Sequence, residues 1–296
     1  MNLFVASLAF SVVTAATLSL AAVAFSLQFA VSNIFNLAFG AALTLSCYAA
    51  YFFFSILGIE FWLSIGLAVL FSGLFAAGMS SFLVGPFIRR GASAFVLMIV
   101  TFSLGTIIDY GLDGGFRDNS FTLPFGGSAL AIHAGPFELS GAQLVVVALA
   151  IVMTAGLAAL LHRTRLGIAI RAIVDNRMLA GASGVPTRKV TTAAWFITGL
   201  VTGIAGLALA ASTSTVNGAI GDNYLLLIIP AAMLGGLGSI WGAIAGSLVI
   251  SLADNLWGVY VGTQYEVLIG LLVLMVVIMI RPGGLAGVIA RGWGGT

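Results

Sequence analysis

The sequence predicts an all-α polytopic membrane protein, a bundle of about 8–10 transmembrane helices with a cytoplasmic coupling helix. Two observations predict this fold class. The 296 residues are 61% hydrophobic and only 7% charged, whereas soluble domains carry about 25% charged residues. Apolar runs also reach the roughly twenty residues that a helix needs to cross the hydrocarbon core. A transmembrane β-barrel would instead alternate apolar and polar residues over about ten positions.

Nine segments are candidate spans within a single transmembrane domain, residues 1–296. They lie near residues 5–30, 37–57, 61–84, 93–110, 142–162, 191–215, 224–238, 241–258 and 265–281. Residues 31–40 form either a tight turn or a broken, partly re-entrant stretch. The seventh and eighth segments are short, so they are either two spans or a helical hairpin that does not fully cross.

The basic residues predict the orientation of the chain, because cytoplasmic loops carry an excess of Lys and Arg. Arg89 and Arg90 share one loop, residues 163–190 hold six basic residues, and Arg281 and Arg291 lie near the C-terminus. With nine spans, all these positions fall on one side. We therefore expect the 163–190 loop and the C-terminus in the cytoplasm, and the 111–141 loop outside.

The composition also excludes several classes of function. A net charge of +2 is too small to provide the basic surface that binds nucleic acid. The sole lysine, Lys189, is not part of a Gly-Lys-Ser/Thr motif, so the chain has no P-loop for ATP. We expect neither a metal site nor a catalytic set of residues, and Cys47 is the single cysteine.

The 163–190 loop carries the most informative polar pattern. Residues 166–182 are typical of one short amphipathic helix, and the Ser-Gly-Val-Pro sequence at 183–186 ends it. Two interpretations stay open. The helix lies on lipid headgroups, or it docks a soluble partner whose groove takes the apolar face and whose carboxylates meet the arginines.

Small and polar residues inside the spans suggest packing or a pathway. Glycines spaced by four let helix backbones approach closely, and irregular backbone around 235–239 would alternatively form a hinge that lines a pathway. The candidates are Gly235, Gly236, Gly238, Gly242 and Gly246. Asp254 is the deepest carboxylate, and it either lines a pathway or braces a helix pair. Asp109 and Glu266 are expected at the membrane interface.

Three stretches resemble the permease subunits of branched-chain amino-acid ABC importers, a family that includes urea and amide permeases and is related to simple-sugar permeases. Residues 36–40 (Asn-Leu-Ala-Phe-Gly), with Tyr48 beyond, are similar to the family's Asn-x-Ala-His-Gly and Gly-x-Tyr stretches. Residues 167–185 resemble its cytoplasmic docking loop. Residues 234–239 (Leu-Gly-Gly-Leu-Gly-Ser) and 281–285 (Arg-Pro-Gly-Gly-Leu) are similar to its C-terminal signature.

The resemblance implies a permease that binds no cofactor itself, with ATP and Mg on partner subunits. The implied partners are a second, paralogous permease chain, two cytoplasmic ATPases and a periplasmic substrate-binding protein, in a bacterial inner membrane. Its implied pathway residues are Asn36, Phe39, Thr44 and Asp254. Its implied ATPase-coupling residues are Gly167, Arg171, Asp175, Arg177 and Gly184.

One departure from the family pattern concerns the substrate. Phe39 stands where the family often has histidine, which makes any pathway wall there more apolar. Branched-chain amino acids, urea, amides and other small polar solutes all stay open. Two other functions also stay open: an ion-coupled secondary transporter, which would need ion ligands near the midplane, and a membrane scaffold subunit without a substrate.

Overall fold

The computed structural model describes residues 2–116, 120–125, 132–134, 137–139, 141–213, 215–260, 262 and 266–280. Its helices are α1 Asn2–Ser32, α2 Phe39–Tyr51, α3 Phe61–Gly78, α4 Gly85–Arg89, α5 Ala94–Gly115, α6 Gly141–Arg163, α7 Arg165–Asp175, α8 Arg177–Ala182, α9 Thr187–Thr213, α10 Ile220–Gly235, α11 Ile240–Tyr260 and α12 Glu266–Ile280. Two π-helical turns, Phe52–Ile56 and Met79–Val84, prolong α2 and α3. The short strands are β1 Ser120–Phe121, β2 Ile132–Ala134, β3 Phe137–Leu139 and β4 Val216–Asn217.

The polytopic all-α fold is confirmed. Among the described residues, seven helices are long and apolar enough to cross a membrane. Each of the nine predicted segments contains a helix, but α10 has 16 residues and α12 has 15. These two are shorter than the roughly twenty residues of a full crossing. The expected C-terminal signature at 281–285, with Arg281 and Arg291, lies outside the described residues.

Helices α1 and α9 form the centre of the bundle. In the most apolar 18-residue stretch of each helix, 78% of the residues of α1 and 72% of those of α9 are buried, compared with 17% of those of α5. The main core contains Leu18, Phe25, Ala205 and Ile228, from three different helices. Helix α5 therefore lies at the periphery, where its exposed apolar side chains suit lipid contact.

Small residues bring α9 against α3 and α2. Gly199 faces Ser72 and Ala76 of α3 with no room for a side chain, and the Ser72 hydroxyl donates to the Gly199 carbonyl at 2.9 Å. On α2, the Cys47 thiol donates to the Gly206 carbonyl at 3.2 Å. Such contacts stabilise membrane helix pairs, because lipid provides no hydrophobic drive for association.

Helices α10 and α11 form a tight hairpin through the glycine-rich turn. Gly236 and Gly238 have φ angles of 93° and 91°, a region that glycine adopts without steric cost. The Gly238 N–H donates to the Ser26 hydroxyl of α1 at 2.7 Å. A side chain at Gly235 would collide with the backbone of Gly242, and one at Gly246 with the carbonyl of Ala231. The structure thus places Gly235, Gly242 and Gly246 where the two helices touch, whereas Gly236 and Gly238 form the turn between them.

The prediction of one continuous helix over residues 166–182 is wrong, because the helix is interrupted at one residue. Asn176 has an extended backbone, with φ −156° and ψ 102°, and separates α7 from α8. Its side chain accepts a hydrogen bond from the Leu179 N–H at 3.0 Å, so it acts as an N-cap, a position that asparagine favours. Helix α8 ends in a Schellman motif, in which Val185 N–H bonds to the Ala180 carbonyl at 3.0 Å and Gly184 has a φ of 86°.

The 111–141 loop carries short structure among its described residues. Strand β1 pairs antiparallel with β4, which joins this loop to the connection between α9 and α10. The Tyr48 ring of α2 packs edge-on against Phe116 and Phe121, at centroid distances of 5.0 and 4.8 Å. These contacts anchor the first part of the 111–141 loop on α2.

The hairpin contact predicts a difference between two glycine substitutions. Gly246→Ala places a methyl group against the Ala231 carbonyl, so we expect a loss of about 1–3 kcal/mol in the free energy of unfolding, as for other overpacked sites. Gly156→Ala on α6 is the matched control, because nothing lies within 4 Å of its added methyl group. Thermal unfolding in detergent should separate the two variants. Equal stability would contradict the close packing of α10 on α11.

Candidate functional site: the α1–α2 linker

The six residues between α1 and α2, residues 33–38, form a non-helical linker inside the bundle. Ile34, Asn36 and Ala38 are all buried, and the neighbouring position on α5 is Thr101. Thr101 lies seven residues into α5, roughly 10 Å along the helix axis. Irregular backbone at membrane depth is tolerated only where protein or a water-filled cavity surrounds it. We therefore expect polar groups around the linker, because its buried backbone needs hydrogen-bond partners.

Helix α5 provides partners for the linker backbone. The Leu37 N–H donates to the Thr101 hydroxyl at 3.2 Å, and that hydroxyl lies 3.5 Å from the Phe35 carbonyl. Close contact is possible because Gly105, one turn further along α5, faces Ala38 without a side chain. These contacts hold the linker against α5.

Asn33 ends α1 in the left-handed conformation, with a φ of 55°. Asparagine tolerates this conformation better than other residues with a side chain. The Asn33 N–H donates to the Phe29 carbonyl at 2.6 Å, which satisfies one of the last carbonyls of the helix. The chain then turns toward α2, and the rings of Phe35 and Phe39 pack on Phe25 at 6.3 and 5.4 Å.

The linker carries a buried amide pair beside a small cavity. Asn36 Nδ2 donates to Gln28 Oε1 at 3.1 Å, and both side chains are 3% exposed. The cavity has room for about one water molecule. Its lining residues are Gln28, Asn36, Phe39, Ala42, Ser72, Phe75, Ala76, Met79, Trp195, Gly199 and Thr202. We call it the linker cavity.

Two polar atoms on the walls of this cavity have no hydrogen-bond partner among the described residues: Asn36 Oδ1 and Trp195 Nε1. The first is an acceptor and the second a donor. A buried polar group without a partner costs about 1–3 kcal/mol, so this pair favours a bridging water or a polar group of a solute. No charged residue lines the cavity, so its chemistry is that of neutral hydrogen bonding.

The four predicted pathway residues do not form one group. Asn36 and Phe39 both line the linker cavity. Thr44 instead accepts a hydrogen bond from the Gly221 N–H of α10 at 3.1 Å. Asp254 is buried on α11, close enough to the Tyr224 hydroxyl to interact with it electrostatically. Neither Thr44 nor Asp254 lines the cavity.

Sequence reasoning missed Gln28, Thr101 and Trp195. Gln28 could have been identified from the sequence, because an amide near the end of the apolar run 5–30 needs a polar partner. Trp195 gave no such signal, because a tryptophan in an apolar span is typical of a packed core. Thr101 lies 64 residues from Leu37, and no local pattern predicts that contact.

The five predicted coupling residues occupy different environments. Gly167 packs against the carbonyls of Leu160 and Leu161, where a side chain would not fit, and Gly184 forms the turn after α8. Arg171 and Asp175 are exposed. Arg177 is only partly exposed, and its guanidinium donates to the Val31 carbonyl of α1 at 3.3 Å.

A second polar cluster lies between the C-terminal part of α5 and the start of α10. The Asp109 and Asp222 side chains lie near each other, neither Asp109 carboxylate oxygen has a hydrogen-bond partner among the described residues, and the Asp222 carboxylate lies over Gly40 of α2. Sequence analysis placed Asp109 at the membrane interface and did not pair it with Asp222, which lies far away in sequence. In the described part of the chain, no group of three or more His, Cys, Asp or Glu residues could hold a metal ion.

The buried amide pair predicts non-additive substitutions. Asn36→Leu or Gln28→Leu alone leaves the partner amide unsatisfied, so each should cost about 1–3 kcal/mol. The double variant removes both polar groups, so we expect its cost to lie below the sum of the two single costs. Thermal unfolding of the four purified proteins in detergent measures the coupling. Additive costs would contradict the hydrogen bond.

Known proteins similar to this chain are permeases. Over 283 residues it is 29% identical to the "Probable branched-chain amino acid transport permease protein LivH" of Methanocaldococcus jannaschii, covering 92% of this chain and 89% of that protein. It is 28% identical over 178 residues to the high-affinity branched-chain amino acid transport system permease protein LivH of Escherichia coli, covering 60% of this chain and 58% of that one.

A more distant similarity extends to a sugar permease. The ribose import permease protein RbsC of Escherichia coli is 28% identical over 130 residues, which cover 41% of this chain and 40% of that protein. No solved structure matches the chain. The family described as branched-chain amino acid transport system / permease component matches residues 7–280. Because that match covers most of the chain, the chain belongs to this family of transport permeases.

Proposed function

We propose that this chain is the membrane-spanning permease subunit of an ATP-driven ABC importer for branched-chain or related amino acids. The observation that carries the proposal is the family match over residues 7–280. The names of the two LivH relatives give the substrate class. In this proposal the chain is not an enzyme and binds no cofactor, and ATP and Mg are held by separate subunits.

The proposed partners are a second permease chain, two cytoplasmic ATPases and a periplasmic substrate-binding protein. The membrane would be the bacterial inner membrane, with the 163–190 loop and the C-terminus in the cytoplasm. Support for this orientation comes from α5 and α6. Both are long enough to span, so Arg89 and Arg90 share one side with the 163–190 loop, and basic residues favour the cytoplasmic side.

The 163–190 loop presents a surface suited to a soluble partner. Its buried side consists of Gly167, Ile170, Ile173 and Ala180. On its exposed side, apolar side chains accompany Arg171 and Asp175: Ile168, Val174, Met178 and Leu179. Met178 is 85% exposed, which is costly in water and favours a groove on a partner protein. We call this side the exposed face.

The linker cavity is the proposed closed point of the solute pathway. Asn36 and Trp195 offer one acceptor and one donor there, and Phe39 adds an apolar wall. A solute with polar groups and an aliphatic side chain would find both kinds of contact. A wider cleft between α3, α6 and α9 is lined only by apolar residues such as Ile65, Val145 and Leu207, and it suits lipid rather than a polar solute.

Transport by the reconstituted complex tests the proposed function. Proteoliposomes would contain this chain with its co-purified partners, and the binding protein would deliver tritiated leucine. We expect leucine uptake only when ATP is present on the side of the membrane that carries the ATPase subunits. A non-hydrolysable ATP analogue should support no uptake. Uptake that persists under an imposed ion gradient with hydrolysis blocked would instead support an ion-coupled secondary transporter and overturn the proposal.

If the ATPase docks on the exposed face, substitutions there should weaken its binding. Arg171→Glu combined with Met178→Glu should weaken its binding by at least about fivefold, since interface hot spots each contribute more than 1 kcal/mol. Arg90→Glu is the matched control, because Arg90 is an exposed arginine of the other basic loop. The readout is ATPase recovered with the tagged chain from detergent. Equal recovery with both variants would contradict docking at this face.

A further inference from the structure

Arg177 differs from the other charged residues of the 163–190 loop in what it touches. Arg171 and Asp175 are exposed, whereas Arg177 is partly buried. Its Nη1 donates to the Val31 carbonyl oxygen at 3.3 Å. Val31 belongs to the last turn of α1, where the final carbonyls lack partners within the helix. Arg177 therefore reaches into the bundle and away from the exposed face.

The break at Asn176 explains why Arg177 has this position. Asn176 caps α8, so Arg177 is the first residue of that short helix. On the other side of the break, Ile170 and Ile173 of α7 are buried in the main core. The α7–α8 pair is thus attached to the bundle by the apolar faces of both helices, since Ala180 of α8 also lies in the main core, and by the guanidinium of Arg177.

The end of α1 that Arg177 holds leads directly to the linker. Val31 is followed by Ser32, the last helical residue, and by the left-handed Asn33. Gln28, one turn before Val31, accepts the hydrogen bond from Asn36. The carbonyl that Arg177 holds therefore lies one helical turn along α1 from the place where Gln28 and Asn36 meet at the linker cavity.

We propose that Arg177 is a positioning residue that ties the α1–α2 linker to the 163–190 loop. Movement of α7–α8 reaches α1 through the hydrogen bond from Arg177 to Val31, and it then alters the Gln28–Asn36 contact at the linker cavity. This inference rests on the proposed function, because it needs an ATPase that binds the exposed face and moves the loop. In this proposal Arg177 makes a contact within the chain, whereas Arg171 contacts the ATPase.

The chemistry of arginine suits this role. A positive charge at a helix C-terminus interacts favourably with the helix dipole, and the planar guanidinium presents several donors in a fixed geometry. Glutamine keeps a donor but loses the charge and the reach. Lysine keeps the charge with a single flexible donor group. The two substitutions therefore separate charge from geometry.

The experiment compares Arg177→Gln, Arg177→Lys and the exposed control Arg171→Gln in the full reconstituted complex. Three quantities are measured: ATPase recovered with the tagged chain, the rate of ATP hydrolysis, and tritiated leucine taken up per ATP hydrolysed. For Arg177→Gln we expect normal ATPase recovery and continued hydrolysis, with leucine uptake per ATP reduced about two- to thirtyfold, the range for residues that modulate coupling. Arg177→Lys should restore part of the loss, and it carries the test if Arg177→Gln is not recovered as a folded protein.

The control and the wild type separate the two proposals. Arg171→Gln should reduce ATPase recovery, because Arg171 lies on the exposed face. Loss of ATPase recovery in Arg177→Gln equal to that in Arg171→Gln would place Arg177 in the docking surface and overturn this inference. An unchanged leucine-to-ATP ratio in the Arg177 variants would also overturn it. A wild-type complex without ATP-dependent uptake would instead contradict the proposed function itself.

Discussion

The need to satisfy a non-helical backbone inside an apolar bundle determines much of this structure. Residues 33–38 leave the helical hydrogen-bond pattern where lipid and packed side chains offer no water. The protein answers with side chains from distant elements: Thr101 of α5 for Leu37, and Arg177 of α8 for Val31 at the end of α1. Because each partner is held by its own helix, the position of the linker depends on the arrangement of α1, α5 and α8 together.

Small residues provide the rigid frame around this irregular element. Gly199 and Gly206 let α9 approach α3 and α2 to backbone contact, and the α10–α11 hairpin closes through Gly235 and Gly242. Dense packing of this kind resists gradual deformation. Motion is therefore expected to concentrate where contacts are made by single hydrogen-bonding side chains, as at Arg177 and Asn36, rather than across the glycine interfaces.

The sequence predicted those parts of the fold that depend on local pattern. Apolar length located all nine helical segments, and glycine spacing marked the α10–α11 contact. Local pattern could not reveal that Asn176 divides the loop helix, since asparagine is compatible with both an exposed helix position and an N-cap. The site depends on contacts between residues far apart in the chain. Gln28, Trp195 and Thr101 acquire their roles only when the fold brings them to the linker, so sequence reasoning found Asn36 and Phe39 but not their partners.

The size of the linker cavity determines what the proposed pathway requires of this chain. With room for about one water molecule, the cavity cannot hold an amino acid with a branched side chain, so in the proposed pathway its walls would have to separate for a solute to pass. Three of those walls are α1 with Gln28, the linker with Asn36, and α9 with Trp195. The α9 wall is held by close glycine contacts with α3, whereas α1 and the linker meet through one amide hydrogen bond and the packing of Phe35 on Phe25 and Phe29. Separation at the Gln28–Asn36 contact breaks one hydrogen bond, and this contact lies one helical turn from the carbonyl that Arg177 holds.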